Sequence, residues 1–215
     1  MRQKALLWFV VCTATLMVPG LWAVFTHGHT ELHLAVNRFH GPYGDLFFAP
    51  FTHLGDGLTV LAVSLLFLLR SWRGFLMVGL SAGLSALVTQ TLKRTLFAEV
   101  DRPMEFLAEL PELHLVQGVV MNHHNSFPSG HSTAAFSMCC ALAVLIARPT
   151  WSIALALLAG LLAYSRVYLS QHFTEDVLAG AFIGTLTASL VYVLLFEGPW
   201  SRNAALDRSL LRGRP

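Results

Sequence analysis

The chain has 215 residues, of which 55% are hydrophobic and only 12% charged, with a formal net charge of +2 and a mean hydropathy of +0.60. Soluble domains carry roughly 25% charged residues, so these totals exclude an ordinary soluble domain, and the absence of a basic, aromatic-interleaved patch excludes a nucleic-acid binder. The three cysteines, Cys12, Cys139 and Cys140, lie inside apolar runs without CxxC or Cys/His zinc spacing and read as small lipid- or core-facing residues.

A helix needs about 20 mostly apolar residues to cross the hydrocarbon core of a bilayer. Six stretches approach that length: 5–25, 54–69, 74–91, 132–147, 151–169 and 177–196. The first follows Arg2 and Lys4; its apolar run exceeds a usual signal-peptide core and no A-x-A site follows, so it reads as a retained span. The second is short, with Asp56 placed to cap it. Gly79 and Gly83 in the third, and Gly180 and Gly184 in the sixth, are four apart, the spacing that lets helices pack closely in lipid. Pro128 and Ser129 open the fourth, and Pro149 marks the break before the fifth. The reading is an all-α polytopic membrane protein, a bundle of six transmembrane helices.

Orientation follows the basic residues. With the N-terminus in the cytoplasm, Arg2, Lys4, Arg70, Arg73, Arg148, Arg202, Arg208, Arg212 and Arg214 lie inside, and Arg38, Lys93, Arg94, Arg102 and Arg166 lie outside. All 10 histidines and both long connections, 26–53 and 92–130, then fall on the outer side. Residues 201–215 form a short basic inner tail suited to anionic lipid.

Three polar clusters emerge on that outer face. The first, 93–103, offers Lys93, Arg94 and Arg102, cations suited to phosphate oxygens. The second, Pro128-Ser129-Gly130-His131, opens a helix, where backbone N–H groups receive anions and Gly permits close approach. The third, 165–176, ends an apolar run with Arg166, where a charge is costly and marks a candidate site. Its His172 and Asp176 are four apart, so a helix starting between them puts a carboxylate beside the imidazole, with Thr174 as N-cap. Three cations, helix-start amides, two histidines and an orienting carboxylate suit a doubly charged phosphate monoester.

These residues resemble the three-part signature of the type 2 phosphatidic acid phosphatase superfamily. Ser165-Arg166, His172 and Asp176 match its third element, Pro128-Ser129-Gly130-His131 its second, and Lys93 with Arg102-Pro103 its first. Eight residues separate Lys93 from Arg102, more than the family's usual spacing, which suggests a longer loop and leaves Arg94 as the alternative to Lys93. The resemblance implies a metal-independent lipid phosphatase that needs no cofactor. His172 would attack phosphorus and form a phosphohistidine, and Asp176 would fix its tautomer. His131 would protonate the leaving group and then activate water. Lys93, Arg102, Arg166, Ser129 and the Gly130 amide would hold the phosphoryl oxygens. Residues 1–200 would be a single transmembrane phosphatase domain, expected in a bacterial inner membrane with both termini cytoplasmic and the site at the outer membrane–water interface. The substrate would be a membrane lipid phosphate: phosphatidic acid, phosphatidylglycerol phosphate, an isoprenyl diphosphate or a lipid A phosphate.

Three rivals compete with this reading. Vanadate haloperoxidases resemble the same signature but are soluble. An anion transporter or channel could use the same cations, although transport sites sit near the midplane. Metal binding by the further outer histidines His27, His29, His33, His123 and His124 lacks an acidic or cysteine framework.

Overall fold

The computed structural model describes residues 1–211, and within them every regular element is helical. Eight α-helices follow in order: α1 (Arg2–Thr26), α2 (His29–Asn37), α3 (Pro42–Phe51), α4 (Gly57–Leu68), α5 (Trp72–Thr95), α6 (Gly130–Ile146), α7 (Pro149–Tyr168) and α8 (Thr174–Tyr192). A π-helical turn, Val193–Glu197, extends α8. Arg212 and Arg214, assigned by sequence to the basic tail, lie outside the described residues.

Helix α6 is the centre of the bundle, packed by α1, α4, α5, α7 and α8. Its Ala135, Phe136, Cys139, Cys140, Ala143 and Val144 are all buried, so these two cysteines face the core rather than lipid. An apolar helix without a polar face belongs inside a protein, and its alanines, serines and cysteines let several neighbours approach. The outer helices are apolar on their exposed faces too: Leu58, Leu61 and Leu65 on α4, Leu84 and Leu87 on α5, and Phe182, Leu186 and Leu190 on α8. Recurrence every three or four residues is a helical stripe turned toward lipid.

Four helices are long and apolar enough to cross a membrane: α1, α5, α7 and α8 with its extension. The bent pair formed by α3 with its following turn and α4, angled at 52°, makes a fifth if counted as one span. Helix α6 is apolar but has only 17 residues, which matches its short sequence run.

The glycine pair of α8 lets that helix meet the backbone of α6 closely. A Cβ added at Gly180 would lie 2.6 Å from the Ser129 carbonyl oxygen, and one at Gly184 would lie 2.4 Å from that of Thr133. Gly79 similarly meets Ser64 Oγ at 2.9 Å, whereas Gly83 faces open space, so only part of the α5 pair serves packing.

Two caps differ from the sequence reading. Phe173, not Thr174, is the N-cap residue of α8, and its N–H donates to Asp176 Oδ2 at 2.9 Å. Asp56 occupies the N-cap position of α4, but its carboxylate makes no cap bond there. The first long connection also contains two helices that the sequence did not reveal, α2 and α3. Asn37 Nδ2 and His33 Nε2 both reach Ser170 Oγ at 3.2 Å, tying α2 to the turn after α7.

At the opposite end, Arg73 is buried rather than lipid-facing. It donates to Asp207 Oδ1 at 2.6 Å, to the carbonyls of Trp200 and Asn203 at 2.9 Å each, and to that of Leu195. Trp72 N–H donates to the Arg208 carbonyl and Leu210 N–H to that of Leu68, each at 3.0 Å. The segment after Trp200 is therefore docked on the bundle as far as it is described.

Candidate active site

The end of α7 and the start of α8 are joined by a tight turn, Leu169–Phe173. Ser170 takes a left-handed backbone (φ 52), and the His172 and Gln171 N–H groups both donate back to the Arg166 carbonyl. This turn fixes His172 one helical turn before Asp176. His172 Nδ1–H donates to Asp176 Oδ2 at 3.2 Å, and both side chains are buried. The same oxygen accepts the Phe173 N–H and the Ser126 hydroxyl, the latter at 2.5 Å. Since Nδ1 carries the proton toward Asp176, Nε2 is the ring nitrogen left with a lone pair. Burial, followed by the charges of Arg102, Lys93 and Arg166, holds the His172 imidazolium well below its ordinary value of 6.5, so the ring is neutral near pH 7.

His172 borders a cavity of about 470 Å³ together with Lys93, Arg94, Arg102, Asn122, Asn125, Gly130, His131 and Arg166. Residues from three helix ends, the turn between α7 and α8 and one long loop thus converge at one end of the bundle. Lys93 belongs to the last turn of α5, not to the loop after it. Its ammonium donates to the carbonyls of Asn125 (2.5 Å) and Ser126 (3.1 Å), and the side chain is buried while Arg94 is exposed. Arg102 is returned from the long loop by backbone pairing: its N–H donates to the His123 carbonyl, and Ser126 N–H donates to that of Val100, both at 2.8 Å. The extra residues between Lys93 and Arg102 are accommodated in that excursion. The guanidinium donates to the His124 carbonyl at 2.9 Å and the Gln171 carbonyl at 3.0 Å. Arg166 Nη1 donates to Thr52 Oγ1 at 2.9 Å and Nη2 to Gln171 Oε1 at 3.4 Å, while its Nε is buried without a partner.

Among the described residues, no carboxylate lies within ion-pair distance of Lys93, Arg102 or Arg166; the partners given above are uncharged oxygens. Three cations sharing one cavity without an ion-paired carboxylate can receive a multiply charged anion.

The remaining sequence candidates divide. Gly130 and His131 border the cavity. Ser129 is fully buried, and its Oγ accepts the Ser132 N–H at 3.4 Å, so its hydroxyl caps α6. Its N–H donates to the Asp176 carbonyl at 2.9 Å, joining the two helix starts. His33 is buried against Ser170, and His29 packs on Phe106 and Phe173. His123 and His124 instead pair with Glu105 and Asp101.

Ser126, Thr52, Gln171, Asn122 and Asn125 escaped the sequence reading. Four of them support the site through single hydroxyl or amide groups, or backbone carbonyls, that follow no spacing rule. Gln171 alone carried a signal, a buried polar residue adjacent to His172.

A family model described as the PAP2 superfamily matches residues 74–200. The lipid A 4'-phosphatase of Bacteroides thetaiotaomicron is 29% identical over 172 residues, which cover 77% of this chain and 76% of that protein. Among solved structures, Aquifex aeolicus LpxE is similar with a TM-score of 0.66 and 26% identity, covering 78% of this chain and 97% of that one. The transmembrane PAP2 type phosphatidylglycerolphosphate phosphatase from Bacillus subtilis has a TM-score of 0.63 and 24% identity, covering 94% and 98%; that likeness concerns the fold. With its lipid-facing apolar helices, the chain is an integral membrane protein.

Proposed function

From the premise that this chain belongs to the PAP2 superfamily, we propose that it is a lipid phosphatase acting through a phosphohistidine, without a metal ion. The observation that carries the reading is the set of three cations, free of carboxylate partners, around one cavity that also holds two imidazoles.

His172 Nε2 attacks phosphorus, with Asp176 and Ser126 holding the ring in the attacking tautomer. Lys93, Arg102, Arg166 and the Gly130 amide stabilise the charge on the phosphoryl oxygens as phosphorus becomes five-coordinate; Ser129 serves by shaping the α6 start that presents that amide. Losing one fixed donor of this kind costs roughly 10²–10³ in rate. His131 protonates the leaving oxygen and then takes a proton from the hydrolytic water. Lys93 rather than Arg94 fills the first cationic position, because its ammonium is buried beside Ser126.

The substrate is a membrane lipid phosphate. A polar cavity at one end of a lipid-embedded bundle receives a headgroup while the chains remain in the bilayer. Six helices, α1 and α4–α8, cross the bacterial inner membrane, with the cavity facing outward and residues 201–215 facing the cytoplasm. Similarity to a lipid A 4'-phosphatase over most of the chain supports a lipid A phosphate ahead of phosphatidic acid, phosphatidylglycerol phosphate and isoprenyl diphosphates.

The test is phosphate release from that panel by purified protein in detergent with excess chelator. Wild type is expected to act, His172→Ala to be inactive, and vanadate to inhibit as a mimic of five-coordinate phosphorus. Full activity in His172→Ala, or activity lost to chelator and restored by Mg²⁺, would overturn the reading.

A further inference from the structure

Asp56 lies outside the residues that the family model matches. Its carboxylate does not cap α4 but bridges two histidines. Oδ1 lies 2.5 Å from His131 Nε2, and Oδ2 lies 2.8 Å from His53 Nδ1. The turn before α4 holds this geometry. Asp56 N–H donates to the His53 carbonyl at 3.1 Å, and Thr59 Oγ1 donates to the same carbonyl at 2.8 Å. The Asp56 side chain is only one-third exposed, at 32%.

We propose that Asp56 is the positioning residue of His131, doing for the second imidazole what Asp176 does for the first. This rests on the reading of His131 as general acid and base. Arg166 and Arg102 both act on His131 through their positive charge, and His172 lies across the same cavity. Asp56 is the carboxylate within ion-pair distance of His131 among the described residues. Without it, the imidazolium required of a general acid would face like charges alone.

With Nε2 engaged by Asp56, Nδ1 is the nitrogen that exchanges protons with substrate. In the first step the bond from His172 Nε2 to phosphorus forms, the bond to the leaving oxygen breaks, and that oxygen takes the Nδ1 proton. The neutral ring keeps its Nε2–H on Asp56. In the second step water bonds to phosphorus and gives a proton to His131 Nδ1 as the phosphohistidine bond breaks, which restores the imidazolium. The sum is one water consumed, with one alcohol (or phosphate) and one phosphate released. His53 holds the far carboxylate oxygen and so keeps the near one aimed at His131.

The experiment compares wild type, Asp56→Asn, Asp56→Glu, His131→Ala and the double variant Asp56→Asn/His131→Ala with one lipid phosphate in detergent. Asp56→Asn is expected to lower kcat roughly 10²-fold, within the range for general acid–base groups, with little change in KM. Asp56→Glu should recover part of that loss, and the double variant should be no slower than His131→Ala alone. Wild-type kcat in Asp56→Asn would overturn the proposal. So would a further 10²-fold loss on adding Asp56→Asn to His131→Ala, because that assigns Asp56 a role independent of His131. If Asp56→Asn fails to fold, Asp56→Ser carries the same comparisons. A wild-type protein that releases phosphate from no lipid would sink the phosphatase reading instead, a result separable from these.

Discussion

His172 and His33 are both buried histidines at the cavity end of the bundle, and each is held neutral by its surroundings. For His33, burial lowers the imidazole to about 4. A group whose folded value lies below its unfolded value of 6.5 leaves stability unaffected above that pH. As pH falls below 6.5, the unfolded chain takes up the proton while the folded one resists, so stability is lost down to the folded value. The melting temperature in detergent is therefore expected to fall between about pH 6.5 and 4, and His33→Gln should flatten that slope. An equally steep slope in His33→Gln would refute the assignment. Arg166 gives a second residue-scale prediction. It is a buried cation beside Arg102, without a carboxylate partner and with an unpaired Nε. An uncompensated buried charge costs stability, so an apolar chain of similar length relieves that cost. Arg166→Met should raise the melting temperature while lowering kcat at least 10²-fold; a variant both destabilised and active would contradict the anion-site reading. Arg166, His172 and Asp176 were legible in sequence because charge inside an apolar run is rare and helical spacing pairs the last two. Asp56 was misread for a physical reason: an aspartate before a helix is usually a cap, and only the fold brings His131 against it. Ser126 had no comparable signal, since a serine in a polar loop is ordinary until Asp176 is placed beside it.

The seam between α6 and α8 carries two of the three candidate motifs, so its spacing controls the site as well as the core. Ser129 and His131 open α6, Asp176 opens α8, and Gly180 and Gly184 continue the same contact into the bundle. A methyl group at Gly184 would press on the Thr133 carbonyl and lie 2.9 Å from Ser137 N, where backbone cannot yield as a side chain tip can. Overpacking of this kind costs about 1–3 kcal/mol. Gly184→Ala is expected to lower the melting temperature and reduce activity together, while Gly83→Ala, which meets open space, should leave both unchanged. Equal effects at the two positions would mean that the seam has no special role. The four-residue glycine spacing signalled this contact, but sequence could not separate Gly180–Gly184 from Gly79–Gly83, because the spacing is the same and only the neighbour differs. The long spans were legible from hydrophobic length. Helices α2 and α3 were not, because nine- and ten-residue helices fall far below a span's length and carry mixed polar residues.

At the scale of the molecule, the two ends of the bundle handle charge in opposite ways. One end gathers Lys93, Arg102 and Arg166 around a cavity, where among the described residues no carboxylate pairs with them directly. The other closes on itself, with Arg73 paired to Asp207 and to three backbone carbonyls of the segment that follows α8. The sequence reading used Arg73 only as an inward charge, since hydropathy cannot reveal that the tail returns to meet it. That difference bears on orientation, because a basic residue locked into a buried pair contributes less to a lipid-facing charge bias than the positive-inside count assumes. Arg2, Lys4, Arg70, Arg148 and Arg202 remain as the basic set on the closed end, and by the positive-inside rule they predict a cytoplasmic closed end and an outward cavity. Val120 sits on the cavity side and is 83% exposed, and Arg202 is exposed at the opposite end. With Cys12, the one native cysteine not fully buried, replaced by alanine, Val120→Cys should react with an impermeant thiol reagent in intact cells. Arg202→Cys should react only after lysis. The reversed pattern would turn the cavity toward the cytoplasm, and the enzyme would then draw its lipid phosphate from the inner leaflet instead of the outer one.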